Sequence, residues 1–434
     1  MTRWMRAWVS MGVGLALLAP GLVRPALARQ GASTLYVIYN DILPCQSAPY
    51  PGCVTTRVMR ATVAPDTGRI DWVRTVPPLF DIKEAYVTPD GRTLAYLGIS
   101  LATGPSLYLH DVDGGQTTTI GPFHGARILL GNPVRPEVYL FDDTGATALA
   151  PSGVRRIPLA CRPNDRVGIS ADGARASVIV GCAGPTIATA VFDTVTGNGI
   201  VTQQYYGKVS ADGTELFTRD FASGVFLLQR RDLLTAQVLA EVTNPGFEMV
   251  VDHGTGDVVT YERGSHEAHV MDGGTLGVRW STLFGTATAA NGPEPVIDPA
   301  NGMLFAATDG GGVYMADTRG QRLLGWASFP AQMWAQLAVG PPPPRPPTGL
   351  ASVVTGAAVS LTWSPGGPPA AITRYVLEVG SAPGLSDIFS GLDVGLQTSF
   401  GASGVPPGTY YVRVRAGNYA GLSAPSNEVV VQVP

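Results

Sequence analysis

Five histidines are among the side chains of this sequence that could do acid–base or metal chemistry. His266 and His269 lie three residues apart in Ser-His-Glu-Ala-His, a spacing that lets two imidazoles share a metal on a helix. The segment is typical of a loop leading into a strand, where alternation places these two side chains on opposite faces. We therefore predict surface residues here and no metal site.

Motifs for covalent catalysis are absent from the sequence. There is no Gly-x-Ser-x-Gly elbow to present a serine nucleophile, and no Cys-x-x-Cys spacing for zinc. Acidic residues recur in turns, where their simplest role is to cap backbone N–H groups. These acids are Asp66, Asp111, Asp193, Asp272 and Asp317. The sequence thus predicts no catalytic residue, no metal and no cofactor.

A repeated strand–turn–strand unit must position any site in this chain. Val87–Tyr96 reads VTPDGRTLAY, and the pattern returns from Val167 and from Lys208, with two weaker copies further on. The Asp-Gly pair supplies the positive φ angles of a tight hairpin. A second pair of strands, joined near an Asp, follows each hairpin. The chain therefore divides into seven units of about 44 residues with four strands each.

The strand-Pro-Asp-Gly-strand unit, followed by strand-Asp-x-x-Thr-Gly-strand, resembles the secreted repeat proteins of the YVTN and lactonase-like families. The resemblance implies an all-β fold with a seven-bladed β-propeller over residues 33–340. Those families include lactonases, lyases, dehydrogenase subunits and proteins without known activity. The resemblance therefore implies a fold and leaves the reaction open.

The two ends of the repeat region predict how the ring closes. The stretch from Thr34, TLYVIYN, matches the second strand of the unit, whereas the stretch from Met333, MWAQLAVGP, matches the first strand. We expect the C-terminal strand to complete the N-terminal blade, which leaves no unpaired sheet edge at a seam. A linear array of repeats is the alternative, and it leaves both orphan strands unexplained.

Propellers bind ligands at one mouth of the central channel, where the chain leads into each inner strand. The residues at these positions mix charges of both signs with aromatic rings, which suits a small polar or sugar-like ligand; loop-facing residues are, however, polar in any protein. The predicted ligand-binding residues are Glu84, His124, Arg127, Asp165, Arg166, Tyr206, Glu248, Glu294 and Trp334, and the same segments hold Lys83, Tyr205, Phe247 and Met333.

The composition and the N-terminal sequence indicate the cellular compartment and the classes of partner to expect. Charged residues make up 14% of the chain, the net charge is −4, and no basic run occurs, so nucleic acid is not an expected partner. Residues 1–28 read as a signal peptide, with Arg3 and Arg6 before the apolar run Val9–Leu18 and an Ala-x-Ala site ending at Ala28. We expect a secreted or periplasmic protein without a membrane span after cleavage.

Four cysteines allow three disulfide pairings in an exported protein. Cys45 and Cys53 bracket a short Pro-rich loop. Cys161 and Cys182 flank the hairpin that turns at Asp172-Gly173, which brings them opposite each other across an antiparallel pair. We predict these two local disulfides.

The C-terminal segment is predicted to be a separate sandwich. Residues 341–347 form a proline-rich linker, expected to be stiff and to hold the next domain away from the ring. Residues 348–434 resemble the fibronectin type III domain. Trp363 matches that family's tryptophan, Tyr411 its corner tyrosine, and Asn418–Ser426 its ending. The segment lacks an Arg-Gly-Asp loop, so the family's adhesive site does not carry over.

Three functions remain open at this point. The leading expectation is a non-catalytic binding or scaffold protein whose propeller face recognises a protein, a glycan or a small ligand. The alternative is a lactonase, lyase or glycan-processing enzyme with the sandwich as an accessory module, which requires at least two titratable groups converging in a pocket. A structural part of a surface assembly would instead expose a large apolar patch on the ring.

Overall fold

A computed structural model describes most of the 434-residue chain. The described residues are 32–42, 54–64, 67–79, 81–100, 104–182, 187–203, 206–222, 225–243, 246, 248–262, 267–284, 294–308, 312–328, 335–368 and 371–434. Within these ranges the protein is all-β, and no helix is of the length and apolarity needed to cross a bilayer.

Thirty-six strands make up the described fold. The first fifteen are β1 (Ser33–Ile42), β2 (Val54–Ala64), β3 (Thr67–Val76), β4 (Asp81–Val87), β5 (Thr93–Ser100), β6 (Gly104–Asp111), β7 (Thr117–Ile120), β8 (Ile128–Gly131), β9 (Val138–Asp142), β10 (Gly145–Ala150), β11 (Gly153–Pro158), β12 (Arg162–Ile169), β13 (Arg175–Gly181), β14 (Ile187–Asp193) and β15 (Gly199–Gln203). The next thirteen are β16 (Tyr206–Val209), β17 (Glu215–Ala222), β18 (Val225–Asp232), β19 (Val238–Thr243), β20 (Glu248–Val251), β21 (Val258–Glu262), β22 (Glu267–Met271), β23 (Val278–Leu283), β24 (Val296–Asp298), β25 (Met303–Thr308), β26 (Gly312–Asp317), β27 (Arg322–Ser328) and β28 (Ala335–Val339). The last eight are β29 (Thr348–Thr355), β30 (Ala358–Ser364), β31 (Arg374–Gly380), β32 (Phe389–Asp393), β33 (Ser399–Ala402), β34 (Gly408–Asn418), β35 (Gly421–Leu422) and β36 (Val429–Val433).

Strands β1–β28 form four-stranded antiparallel sheets. Each sheet consists of four strands that are consecutive in the sequence, except the first sheet, in which β28 pairs with β1. In the described residues these sheets are β28-β1-β2-β3, β4–β7, β8–β11, β12–β15, β16–β19, β20–β23 and β24–β27, numbered here from the first to the seventh sheet. A succession of such sheets, closed by pairing of the last strand with the first, is a β-propeller.

The hairpin turns inside the sheets follow from the Asp-Gly pairs. Gly91 has a φ of 78°, a left-handed conformation that residues with a Cβ adopt at a cost. The side chain of Asp90 accepts the backbone N–H of Arg92 at 3.0 Å and the hydroxyl of Thr88 at 2.6 Å. Local chemistry thus fixes where strand β4 ends and strand β5 begins.

The recurring acids cap the second set of turns, as predicted. Asp111 accepts N–H groups from Asp113 at 3.0 Å and Gly114 at 2.7 Å. These hydrogen bonds, with the nearby Arg92, lower the pKa of the Asp111 carboxyl. Asp193, Asp272 and Asp317 accept backbone N–H groups in the same way. Asp66 lies outside the described residues.

The ring closes through strands β1 and β28, the pairing expected from the two orphan strands. They run antiparallel, from Leu35 opposite Val339 to Tyr39 opposite Ala335. Buried side chains from both strands join those of β25, among them Phe305, in one apolar cluster. Each such side chain contributes about 1.5–3 kcal/mol when fully buried, so closure has both a backbone and a core component.

Arginines add polar contacts between neighbouring sheets. Arg74 of the first sheet donates to the Val112 carbonyl of the second at 2.6 Å. Arg155 of the third sheet donates to the Thr194 carbonyl of the fourth, also at 2.6 Å. Carbonyls in these turns have no strand partner, so an arginine satisfies them where the sheets meet.

One predicted disulfide is confirmed. Cys161 and Cys182 are bonded, with their Cα atoms 4.8 Å apart, at the end of the β12–β13 hairpin. Arg162 pairs with Gly181 next to them in the ladder, as expected from the turn at Asp172-Gly173. The predicted Cys45–Cys53 pair and the signal peptide lie outside the described residues.

The C-terminal strands form two sheets that enclose their own core. Strands β29, β30 and β33 form one sheet, and β32, β31, β34, β35 and β36 form the other. Trp363 packs edge-on to Tyr375 between them, with ring centroids 5.7 Å apart. The tyrosine whose hydroxyl reaches back to the backbone is Tyr410, which donates to the Pro406 carbonyl at 2.9 Å.

The assignment of the corner tyrosine to Tyr411 was therefore wrong by one position. In strand β34 the buried hydrophobic residues are Val412, Val414 and Ala416. Alternation places Tyr410 on their side of the sheet and Tyr411 on the other. Which of the two tyrosines faces the core depends on which alternate positions of the strand are buried, and the spacing from the turn does not show this.

The linker does not keep the sandwich away from the ring, contrary to expectation. The backbone N–H of Tyr419 donates to the Asp90 carbonyl at 3.0 Å, in the first hairpin turn of the second sheet. Asn418 donates to the Pro342 carbonyl at 2.9 Å. Gly91 is close to both Tyr419 and Pro341, where an added Cβ would lie 3.2 Å from the Tyr419 Cβ. A turn glycine thus also makes room for the sandwich.

His110 in strand β6 generates a prediction about stability and pH. The residue is fully buried, its Nδ1 pairs with the Thr117 hydroxyl at 2.9 Å, and its Nε2 has no hydrogen-bond partner among the described residues. Burial, aided by the charge of Arg74, lowers the pKa of this imidazole to about 4. Between pH 6.5 and 4 the unfolded chain therefore binds a proton that the folded chain does not.

We expect this proton to lower the free energy of unfolding by up to about 3 kcal/mol as the pH falls from 6.5 to 4. The variant His110→Gln should lack this component when urea unfolding is followed across that pH range. His124→Gln, which changes an exposed turn residue, is the matched control. Parallel pH profiles for wild type and His110→Gln would contradict the account.

Candidate ligand site in the central channel

The inner strands of the seven sheets enclose a cavity of about 550 Å³. Each of β4, β8, β12, β16, β20, β24 and β28, or the residues next to it, contributes to the wall. The wall combines aliphatic residues, such as Val167, Val209 and Leu337, with charged and polar side chains at several points. A volume of this size suits a small molecule.

Four charged side chains meet across the channel. Arg166 of β12 contacts both carboxylate oxygens of Glu248 of β20 in a forked ion pair. The Nε of Arg166 also lies 3.4 Å from Oε1 of Glu294. Oε2 of Glu294 accepts from Nζ of Lys208 at 2.5 Å. Two cations and two carboxylates thus form one network that links sheets four to seven.

The members of this network differ in exposure. The side chains of Glu248, Lys208 and Arg166 are 1%, 7% and 12% exposed, whereas that of Glu294 is 27% exposed. Removing charges from water costs several kcal/mol per ion, which mutual pairing only partly offsets. The network is therefore an expensive feature of the channel and a weak source of stability.

The backbone is irregular where it presents Arg166. This residue has a φ of 42°, which is uncommon for a residue other than glycine. The pairing of β12 with β13 shifts register between Pro163 and Asp165 and again between Asp165 and Val167. A bulge of this kind redirects a side chain, and here it accompanies an arginine in the channel.

Tyr206 and Arg219 support the same region. The guanidinium carbon of Arg219 lies 4.9 Å from the Tyr206 ring centroid, and that of Arg166 lies 5.7 Å from it. Burial is the main cause that lowers the pKa of Arg219. The tyrosine ring therefore separates two guanidinium groups and contacts each by a cation–π interaction.

The wall contributed by β4 carries its own polar contacts. Nζ of Lys83 lies 2.5 Å from the Asp81 carboxylate. Glu84 accepts the backbone N–H of Leu129 at 2.9 Å, which ties β4 to the next inner strand. Of the sequence-predicted residues, Glu84, Arg166 and Glu294 line the cavity, while Glu248 and Tyr206 contact Arg166 from behind.

Two predicted residues do not reach the channel. His124 and Arg127 are exposed in the turns before β8, which begins only at Ile128. Arg127 instead pairs with Asp143 at 3.3 Å on the outside. The sequence spacing predicts both residues at the channel mouth because this repeat is irregular, so the start of its inner strand is not apparent from the sequence. The Asp165 side chain and Trp334 are outside the described part of the chain.

Lys208 and His253 line the cavity and were missed. Lys208 lies inside a hairpin that was interpreted only as a turn signal, yet the sequence carried a clue. Of the 29 basic residues of the chain, only Lys83 and Lys208 are lysines, and both line this cavity. Lysine scarcity thus sets these two residues apart in the sequence, and the structure places both of them in the cavity wall.

His253 lies between the channel and a second cavity of about 520 Å³ beside sheets five and six. Its ring donates to the Ile169 carbonyl. Burial, with the positive charge of Lys208, lowers the pKa of the His253 imidazole. The neutral ring is therefore favoured near neutral pH.

The described wall of the cavity offers charged and apolar groups that a ligand could contact. No cluster of three metal-ligating side chains occurs among the described residues. The described lining residues include no hydroxyl or thiol that could serve as a nucleophile. The carboxylates that converge here, Glu248 and Glu294, are held by cations. Charges of both signs on an aliphatic wall orient a ligand.

The chain was compared with protein families, curated proteins and solved structures. No protein-family model matches it, and no curated protein matches its sequence. Similar solved structures include the dihydro-heme d1 dehydrogenase NirN in complex with DHE, with 14% identity, a TM-score of 0.43, and coverage of 69% of this chain and 74% of that one. TolB from Acinetobacter baumannii has 15% identity, a TM-score of 0.39, and coverage of 70% and 66%. Hydrazine synthase from Kuenenia stuttgartiensis has 13% identity, a TM-score of 0.43, and coverage of 63% and 92%. The fold assignment therefore rests on the sheet topology described above.

The buried ion pair yields a prediction about stability. Glu248→Leu leaves Arg166 with one carboxylate partner fewer, and we expect it to lower the free energy of unfolding by about 3–5 kcal/mol. The double variant Glu248→Leu/Arg166→Met should recover most of this loss, because no uncompensated charge remains from that pair.

Asp143→Ala provides the control, because it breaks two exposed ion pairs, with Arg127 and Arg162, whose side chains are between 49% and 51% exposed. Its cost should stay below about 1 kcal/mol. Urea unfolding measures all three variants. Equal losses for Glu248→Leu and Asp143→Ala would show that the channel pair is not a buried one.

Proposed function

We propose that this protein is a secreted, non-catalytic binding protein. In this proposal a seven-bladed β-propeller of the YVTN and lactonase-like repeat type binds a small ligand in its central channel. A proline-rich linker and a fibronectin type III domain follow, and the latter serves as a spacer or attachment module.

One observation carries the proposal: two cations and two carboxylates form one largely buried network beside a cavity whose wall is in part aliphatic. Buried charges cost stability, so their presence in the channel calls for a reason other than stability. Strained backbone also concentrates at functional sites. Arg166 combines a buried charge, a positive φ and a strand irregularity. A role in ligand binding accounts for all three features together.

The seven-bladed ring and the type III domain are supported by the described sheets. Seven four-stranded sheets and the β1–β28 pairing fit a ring of seven blades. Two sheets that pack around Trp363, with Tyr410 tied back to the Pro406 carbonyl, fit a fibronectin type III sandwich. The repeat pattern of the sequence favours the same interpretation.

Secretion is supported by the Cys161–Cys182 disulfide, because such bonds persist in oxidising compartments. The signal-like N-terminus points the same way. A small ligand is favoured over a protein or glycan partner because the charged groups line a cavity of about 550 Å³, a size that suits a small molecule. The converging carboxylates are paired with cations, which favours binding over acid–base catalysis.

The proposal is tested by blocking the channel. Wild-type protein is screened by thermal shift against a library of small polar and amphipathic molecules, and each hit is checked by mass spectrometry for unchanged ligand after incubation. Val250→Trp, which fills the channel wall, should abolish the shift. Val73→Trp, on the exposed strand β3, should leave it intact because a ligand of the folded state stabilises in proportion to its occupancy.

Three outcomes would contradict the proposal. Hits that bind both tryptophan variants equally would place the ligand elsewhere. Conversion of a hit into product would favour the enzyme. If no molecule in the library shifts the melting temperature of the stably folded protein, the channel is part of the protein core and not a binding site.

A further inference from the structure

Glu294 is the member of the channel network that a ligand can replace. It bridges both cations, with one oxygen toward Arg166 and the other toward Lys208. It precedes β24, which begins at Val296, so no ladder hydrogen bond fixes its backbone in the sheet. It is also the most exposed of the four side chains.

Glu248 differs in each of these respects. It opens strand β20, pairs in the ladder with Tyr261, and has a side chain that is 1% exposed. It therefore acts as the permanent counter-charge of Arg166. Of the two positive charges in the network, Glu248 neutralises one, and the remaining one is neutralised by Glu294.

The two lysines of the chain support a role for charge in this cavity. The protein uses arginine at the other basic positions, including the contacts between sheets. A lysine ammonium is a compact charge on a flexible stem, and it accepts different oxygen positions more readily than a rigid guanidinium. Lys208 beside Arg166 thus combines an adaptable cation with a fixed one.

The rest of the cavity near this cation pair is apolar. Val167, Val209, Val250, Val296 and Ile297 line it with branched aliphatic side chains. The other polar side chains of the wall include Asp81, Glu84 and Gln336, which belong to strands β4 and β28. A ligand that fills this space therefore gains more from hydrocarbon than from further polar groups.

We propose that the channel binds a small monocarboxylate with an apolar body. The ligand's carboxylate takes the place of the Glu294 carboxylate between Arg166 and Lys208, and its hydrocarbon part lies along the aliphatic wall. This inference rests on the proposed function and adds the chemical class of the ligand. In the ligand-free protein, Glu294 occupies the cation pair as an internal competitor.

The test uses isothermal titration calorimetry of the full chain with three probes. Octanoate carries a carboxylate on an apolar body, octanamide the same body without charge, and gluconate a carboxylate on a polar body. We expect octanoate to bind at least about tenfold more tightly than either of the others. Octanamide lacks the charge-assisted contact, and gluconate lacks the apolar burial.

Two variants test the competition. Glu294→Gln removes the internal carboxylate and should tighten octanoate binding about tenfold, whereas Lys208→Met should weaken it about tenfold or more. Arg127→Gln, which breaks an exposed pair outside the channel, is the control and should bind like wild type. If Lys208→Met does not fold, the sign of the Glu294→Gln effect alone decides.

Each contrary outcome has one meaning. Equal affinity for octanoate and octanamide, or weaker octanoate binding by Glu294→Gln, would overturn the carboxylate inference. If the probes fail while another small molecule binds wild type and not Val250→Trp, the ligand class is wrong and the proposed function stands. If no small molecule binds the channel, both fall.

Discussion

Closure of the ring between strands β1 and β28 is the constraint on which the rest of this structure depends. It places the inner strands around one axis, so residues as distant in sequence as Arg166 and Glu248 face the same space. A slip of one residue in this pairing would turn side chains such as Tyr39 from the core to the opposite face. The channel therefore owes its geometry to backbone pairing far from its charged residues.

Stability and binding make opposite demands inside the channel. An aliphatic lining throughout would stabilise the ring, and the sheets supply part of one. The charged network interrupts it, and the positive φ of Arg166 adds strain at the same point. Outside the channel, arginines satisfy carbonyls at the sheet boundaries without comparable burial. The arginines between the sheets thus contribute to assembly, whereas the function proposed here assigns the channel cations to ligand recognition.

Much of the fold could be predicted because its signals are local. Asp90-Gly91 fixes a hairpin within a few residues, and the Cys161–Cys182 bond follows from reflection through such a turn. The lining of the candidate cavity was predicted in part. Glu84, Arg166 and Glu294 were found from their position before or within inner strands, whereas His124 was misplaced where the repeat is irregular.

The remaining errors concern tertiary contacts and strand parity, which local patterns do not encode. Contact between Tyr419 and the Asp90 turn depends on how two domains meet, and the choice of Tyr410 over Tyr411 depends on which face of β34 is buried.

The central claim is that Lys208 and Glu294 pair in a ligand-accessible channel. It is tested most directly by NMR after reductive methylation with ¹³C-formaldehyde, which keeps the lysine charge and labels only two lysine side chains. The account predicts that the Lys208 signal moves on Glu294→Gln substitution and on octanoate addition, while the substitution leaves the Lys83 signal in place. A Lys208 signal that responds to neither change would contradict it.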